Sequence, residues 1–186
     1  MVNRKVCATT MIIGLTGYAR SGKDTVANVL VNNYGYTRVA FADKIRELLV
    51  EMDPILESGH RLSSTLEEYG WEIAKAKPEV RRLLQSLGVG ARKVFGDNYW
   101  IVEALKNVDI NGNYVITDVR FINEAEWLKD IYGAQLWRIK RTGVSAINNH
   151  VSESEMDHYK VDQIFTNDGT IEYLELMVKT RMNGLT

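Results

Sequence analysis

The sequence predicts a three-layer α/β fold, with a central parallel sheet, helices on both faces and an inserted helical region. Three observations predict it. Short apolar runs rich in β-branched residues, such as Met11 to Thr16 and Tyr114 to Thr117, alternate with segments of helical spacing. Glycine and Asn/Asp turns separate them. A long charged stretch with no strand pattern then interrupts the alternation between about 55 and 110. Unbroken apolar runs suit strands covered on both faces, and a strand-helix-strand order closes into parallel pairs with right-handed crossovers.

Met11 to Thr16 is the first strand and ends in a glycine loop. Asp24 to Tyr34 follows as a helix, with Val26, Ala27, Leu30 and Val31 on one face and Gly35 as its C-terminal glycine. Thr37 to Phe41 reads as a second strand. Ala42 and Asp43 can cap a helix from Lys44 to about Met52, which Asp53-Pro54 breaks. From Ser64 to Val108 the chain is mostly helical and charged, with Pro78 suited to a first turn and Gly88 and Gly90 marking a break. Asn111-Gly112-Asn113 then turns into the strand Tyr114 to Thr117, which ends at Asp118. A helix from Asn123 to Tyr132, a strand from Gln135 to Ile139, a short strand from Ile164 to Thr166 and a closing helix from Ile171 to about Met182 complete the pattern. The whole chain, 1–186, reads as one domain, with the helical insertion at about 55–110 and a candidate lid at about 140–160.

The formal net charge of −1, from 23 Lys+Arg against 24 Asp+Glu, lacks the basic excess of a nucleic-acid polymer binder, so any anion site must be local. A single cysteine, Cys7, excludes an internal disulfide framework and a cysteine metal cluster, which fits the cytoplasm. Arg4 and Lys5 before an apolar stretch imitate a signal peptide. Thr9 and Thr10 interrupt it and no small-residue cleavage site follows, so the segment reads as a buried strand. No apolar run approaches the roughly 20 residues that span a bilayer.

Gly17-Tyr18-Ala19-Arg20-Ser21-Gly22-Lys23 lies between a strand and a helix, the context that a phosphate-binding loop requires. Glycine lets the backbone curl and turn several N–H groups inward, and the helix N-terminus adds to that positive field. Lys23 supplies a mobile charge for β- and γ-phosphates. Asp24 stands where Ser or Thr usually ligates magnesium, and Thr25 follows, suited to an α-phosphate. A carboxylate beside phosphates is repelled unless a cation or an acceptor proton lies between. Asp24 therefore holds magnesium through water, contacts the acceptor, or is an acid favoured by the helix dipole.

Phosphoryl transfer also needs a carboxylate near the metal and fixed positive charge around the phosphates. Asp118, at the end of a buried strand, fits the first need, with a helix cap as its bland alternative. Arg46, Arg82, Arg92, Arg120, Arg138 and Arg141 are candidates for the second, since a guanidinium fork suits bidentate phosphate contacts. His60, His150 and His158 show no metal-ligand spacing. Trp71, Trp100, Trp127 and Trp137 read as core residues, although Trp100, after Gly96-Asp97-Asn98-Tyr99, could stack on a base.

Five blocks resemble the tailed-phage deoxynucleoside monophosphate kinases. They are the loop Gly17 to Thr25, Phe41-Ala42-Asp43, the segment from Leu84-Gln85-Ser86-Leu87-Gly88 to Phe95-Gly96-Asp97-Asn98-Tyr99-Trp100, Ile116 to Ala125, and Asn167-Asp168-Gly169-Thr170. The resemblance implies a P-loop kinase fold, ATP with Mg2+, and transfer to a deoxynucleoside monophosphate. It places Asp43, Arg46, Gln85, Arg92 and Trp100 on the acceptor side, Asp118 and Arg120 near the metal and the transferred phosphate, and Asn167, Asp168, Gly169 and Thr170 near the adenine of ATP. The loop itself sets Gly17, Ala19, Ser21, Gly22, Lys23, Asp24 and Thr25 at ATP, Lys23 and Asp24 reach the transferred phosphate, Arg141 is a candidate there by its position, and Asp24 and Asp118 are the candidate magnesium residues, through water. A homodimer and a host-cytoplasm location are compatible with it. Ser-Gly-Lys-Asp also resembles the loop of animal-type phosphomevalonate kinases, and a nucleotide-binding switch protein is an alternative of another class.

Overall fold

A computed structural model describes residues 11–109, 111–145 and 154–185. The first ten residues with Cys7, together with His150 and part of the candidate lid, lie outside the described residues. The chain divides into two compact units, Met1–Ala40 with Asn107–Thr186, and Phe41–Lys106.

The first unit contains β1 (Ile12–Thr16), α1 (Lys23–Tyr34), β2 (Thr37–Val39), β3 (Tyr114–Ile116), α6 (Ile122–Tyr132), β4 (Gln135–Lys140), β5 (Gln163–Thr166) and α7 (Ile171–Asn183). Its five strands are parallel in the order β2-β3-β1-β4-β5, with Ile13 opposite Val115 on one side and Gln135 on the other. Going from β3 to β4 the chain crosses β1, so the C-terminal end of β1 is a switch point of the sheet, where ligands of open α/β folds bind.

Alternation along the strands divides the core. Ile13, Leu15, Val115, Trp137, Ile139 and Phe165 pack under Val26 and Leu30 of α1 and Leu174, Val178 and Met182 of α7. Trp137 is wholly buried and meets Phe165 edge-on, with ring centroids 5.3 Å apart. On the other face, Gly14 lies so close to Val119, Leu136 and Leu128 of α6 that a Cβ there would approach Leu136 to 2.7 Å. The expected layers are therefore present, with α1 and α7 on one face and α6 on the other.

The second unit holds α2 (Phe41–Met52), α3 (Leu62–Ala74), α4 (Pro78–Phe95) and α5 (Tyr99–Leu105). Leu49, Leu56, Leu62 and Val80 form its core, with Leu66, Trp71, Leu83, Leu84 and Leu87 against them. Asp53 caps α3 from outside the helix, accepting the Ser63 backbone N–H at 2.8 Å and its hydroxyl at 3.1 Å. The Ser63 N–H, then the Ser63 hydroxyl and then Arg61 hold this carboxyl below the usual carboxylate value.

Two local expectations fail. The second strand stops at Val39 and the helix begins at Phe41, because Phe41 and Leu49 form its buried side; Asp43 thus lies inside the first turn, where the dipole favours it. Gly88 and Gly90 do not break α4. A Cβ on buried Gly88 would come within 3.2 Å of Ile45, so this glycine serves close packing of α4 on α2 and the helix runs through it. Pro78 occupies the first turn of α4, as its missing N–H allows. Among the described residues no helix is long and apolar enough to cross a membrane.

Candidate active site

The loop from Gly17 to Gly22 joins the fully buried β1 to α1. Gly17 has φ +134 and Gly22 has φ +110, values that side chains rarely adopt. Space is also refused. A Cβ on Gly17 would collide with the Ile139 carbonyl, and one on Gly22 would lie 2.5 Å from the Asn167 amide nitrogen. Arg20 takes φ +64 without being glycine, at the exposed crest of the loop. Lys23 folds back so that its ammonium donates to the carbonyls of Gly17 and Tyr18, each at 2.7 Å, which holds the charge at the loop. Ser21 is 1% exposed, and its backbone carbonyl accepts from Asn167 at 2.9 Å.

Among the described residues, two cavities open at this loop within the first unit. One, of about 250 Å³, is lined by Lys23, Asp24, Thr25, Arg141, Asn167 and Gly169 among others, and so joins the start of α1 to the loop after β5. The other, of about 330 Å³, is lined by Gly17, Tyr18, Arg120, Arg138, Arg141 and Asp157 among others. Arg141 contributes to both.

Asp118 lines neither cavity, but its backbone neighbours fix its place: Thr117 N–H donates to Val39 O at 3.0 Å and Val119 N–H to Leu15 O at 3.1 Å. It therefore stands half-buried just beyond β3, between the ends of β2 and β1. At the start of α6 the buried Glu124 carboxylate accepts the N–H groups of Arg120 at 2.8 Å and Phe121 at 3.1 Å. Asp168 likewise grips protein, taking the Thr142 N–H at 2.7 Å and its hydroxyl at 2.8 Å. The Thr142 N–H, the Thr142 hydroxyl and Arg141 together hold its carboxyl below the usual value.

In the helical unit, Asp43, Arg46, Trp71, Tyr99 and Trp100 line a cavity of about 770 Å³. Arg46 is oriented twice, by Asp43 at 3.2 Å and by the Trp71 ring, whose centroid lies 5.6 Å from the guanidinium carbon. Trp100 is 4% exposed and its indole N–H donates to the Gly88 carbonyl at 2.9 Å. Gln85 and Arg92 do not line this cavity. Arg92 is mostly buried, with its guanidinium 3.7 Å from Asp97.

The sequence profile of the deoxynucleotide monophosphate kinase family matches residues 60–178. A candidate deoxynucleotide monophosphate kinase of Acanthamoeba polyphaga mimivirus is 30% identical over 186 aligned residues, covering 87% of this chain and 91% of the viral one. The chain belongs to the deoxynucleotide monophosphate kinase family. It is accordingly a phosphotransferase with ATP as donor, which sets aside the phosphomevalonate kinase and switch-protein alternatives. The deoxynucleotide monophosphate kinase of Escherichia phage RB69 is 33% identical over 101 residues, 51% of this chain and 41% of the phage protein. Among solved structures, dephospho-CoA kinase from Campylobacter jejuni aligns over 96% of this chain and 99% of its own, at 13% identity and a TM-score of 0.49.

Some residues that shape the kinase's site escaped the sequence pattern. Tyr18 donates its hydroxyl to Asp157 at 2.6 Å across 139 positions of sequence. Arg138, a phosphate candidate by residue type, instead donates to the carbonyls of Met156, Asp157 at 3.1 Å and Tyr159 at 3.0 Å, fastening that turn to β4. Burial pushes its pKa down from the usual arginine value. The only sequence signal for this role was its position in an apolar strand.

Proposed function

We propose that the chain transfers the γ-phosphoryl group of ATP to the 5′-phosphate of a deoxynucleoside monophosphate, with the donor on the glycine loop and the acceptor in the cavity of the helical unit. An acceptor phosphate oxygen attacks Pγ, the bond from Pγ to the bridging oxygen breaks, and ADP leaves with that oxygen. A phosphate monoester has its second pKa near 6, so the nucleophile is an anion at neutral pH and needs no general base. The protein's task is then to position two anions and neutralise their charge.

The supporting observation is the convergence on one loop of glycine geometry, the Lys23 ammonium and Arg141, with Arg120 in the adjoining cavity. Lys23 meets the β- and γ-phosphates, Arg141 and Arg120 follow charge as it moves to the bridging oxygen, and Thr25 bonds the α-phosphate. Asn167 to Gly169 border the nucleoside side of ATP. Asp43 and Arg46 orient the acceptor, with Arg92 and Gln85 shaping its surroundings.

Asp24, exposed in the first turn of α1 beside Thr25, and Asp118 at the end of β3 offer oxygen donors that fit magnesium. Among the described residues no group of three or more His, Cys, Asp or Glu forms a metal cluster, which fits a cation carried chiefly by phosphate oxygens and water. When bound it neutralises β- and γ-phosphate charge.

The test is ADP release with ATP, magnesium and a panel of deoxynucleoside monophosphates, ribonucleoside monophosphates and phosphomevalonate. Turnover that requires a deoxynucleoside monophosphate is expected, with Lys23→Ala reducing it by on the order of a hundredfold or more while the protein stays folded. Acceptor-independent turnover, or near-normal rates in the Lys23 variant, would overturn the reading.

A further inference from the structure

The cavity of the helical unit contains two tryptophans, and they differ in what they can offer a ligand. Trp100 is nearly inaccessible, its N–H is engaged by Gly88, and Tyr99 stands against its ring at 4.9 Å with the planes 72° apart. Too little of its face remains for a stacked base. Trp71 is half-buried, resting on the Leu49, Leu56, Leu62 and Val80 cluster while also lining the cavity.

The backbone explains its orientation. Gly70 lies inside α3 with φ 69 and ψ 170, a conformation that interrupts the helix and takes Trp71 out of the phase set by Leu62 to Tyr69. Beyond its chain neighbours and the helix's own nearby backbone, nothing lies within 4 Å of where a Gly70 Cβ would sit, so glycine is required by conformation and not by crowding. A helix broken in mid-course is a local cost, and here it re-aims one aromatic ring so that it meets both the apolar cluster and the cavity. Arg46 then lies over that ring at 5.6 Å, and Asp43 holds the guanidinium at 3.2 Å.

We propose that Trp71 is the aromatic wall on which the acceptor's nucleobase stacks, and thus a specificity-determining residue of the kinase. This rests on reading the helical-unit cavity as the acceptor site. Every base has a π-face, so an indole wall accepts several bases while rejecting a phosphate ester without one. Hydrogen-bonding groups around the cavity then choose among bases.

The experiment measures binding of the four common deoxynucleoside monophosphates, and of deoxyribose 5-phosphate as a base-free control, to wild type, Trp71→Leu, Trp71→Phe, Asp43→Ala and Arg46→Ala, each first checked by thermal melting. Trp71→Leu, which keeps apolar packing, is expected to weaken nucleotide binding by about tenfold to a hundredfold and leave deoxyribose 5-phosphate and the ATP KM unmoved. Trp71→Phe should recover most of the loss, which a purely structural role for the indole would not predict. If Trp71→Leu does not fold, tryptophan emission decides: nucleotides, but not deoxyribose 5-phosphate, should quench wild type, and the quenching should vanish in Trp71→Phe. Wild-type nucleotide binding by Trp71→Leu, or quenching that persists in Trp71→Phe, overturns the proposal. If Asp43→Ala and Arg46→Ala still weaken binding in that case, the cavity remains the acceptor site; if they do not, the cavity reading falls as well.

Discussion

The side-chain amide of Asn167 donates to the backbone carbonyl of Ser21 at 2.9 Å in a buried setting, so the loop after β5 holds up the glycine loop from beneath. The backbone N–H of Asn167 is itself fixed to the Lys140 carbonyl at 2.7 Å. Asn167→Ala removes the donor and leaves a buried carbonyl unsatisfied, which costs about 1 to 3 kcal/mol. Thermal melting should show that loss, and the KM for ATP should rise while the acceptor KM stays put. An unchanged ATP KM would reduce Asn167 to a scaffold residue.

The parts of this site that could be read from sequence are those whose determinants are local. Gly17, Gly22 and Lys23 between a strand and a helix leave few conformations open, and the structure places all three as the spacing implies. Gly88 misled because a glycine in sequence does not reveal whether its backbone or its missing side chain is needed; against Ile45 it is the latter. The polar stretch before Trp100 pointed to that ring for stacking and left Trp71 to the core, but tertiary packing leaves Trp100 4% exposed and Trp71 half-buried, and no local pattern carries that outcome. The Tyr18–Asp157 bond joins positions 139 apart, a distance over which no local pattern carries information.

Asp24 separates charge from shape. Asp24→Asn preserves the side chain's size at the first turn of α1 but removes its negative charge. If that charge serves the cation or the acceptor, kcat should fall on the order of tenfold to a hundredfold while ATP affinity, measured separately, changes little. A residue that merely favours the helix dipole would cost no more than about 1 kcal/mol of stability and leave the rate intact.

Asp168 links pH to the bracket between the loops after β4 and β5. Its folded pKa is depressed by the Thr142 N–H, then the Thr142 hydroxyl, then Arg141. The unfolded chain therefore binds a proton first as pH falls. The contribution to stability is complete above the ordinary carboxylate value near 4 and is lost as pH drops through the lower folded value. In melting curves from pH 7 to 3, the gap between wild type and Asp168→Asn should be constant down to about pH 5 and close below about pH 4. A gap that does not change with pH would show that the carboxylate's charge is irrelevant there.

Glu124 is the least conspicuous residue on which the site depends. It stands in the first turn of α6 at 5% exposure, and one carboxylate oxygen accepts the N–H groups of both Arg120 and Phe121. A buried carboxylate needs such partners, and it gives these N–H groups an acceptor at the helix start. The bond reaches the backbone of Arg120, so the same carboxylate fixes where that guanidinium begins its reach into the cavity beside Gly17. Glu124→Ala should lose about 1 to 3 kcal/mol of stability and, at a temperature where the variant remains folded, lower kcat more than it raises the KM for ATP. Glu124→Gln keeps one acceptor oxygen and should restore most of the stability and rate. The comparison separates a cap from a catalytic charge: equal damage from Ala and Gln would mean that the negative charge itself matters at the transferred phosphate, whereas rescue by Gln assigns Glu124 to holding Arg120 in place.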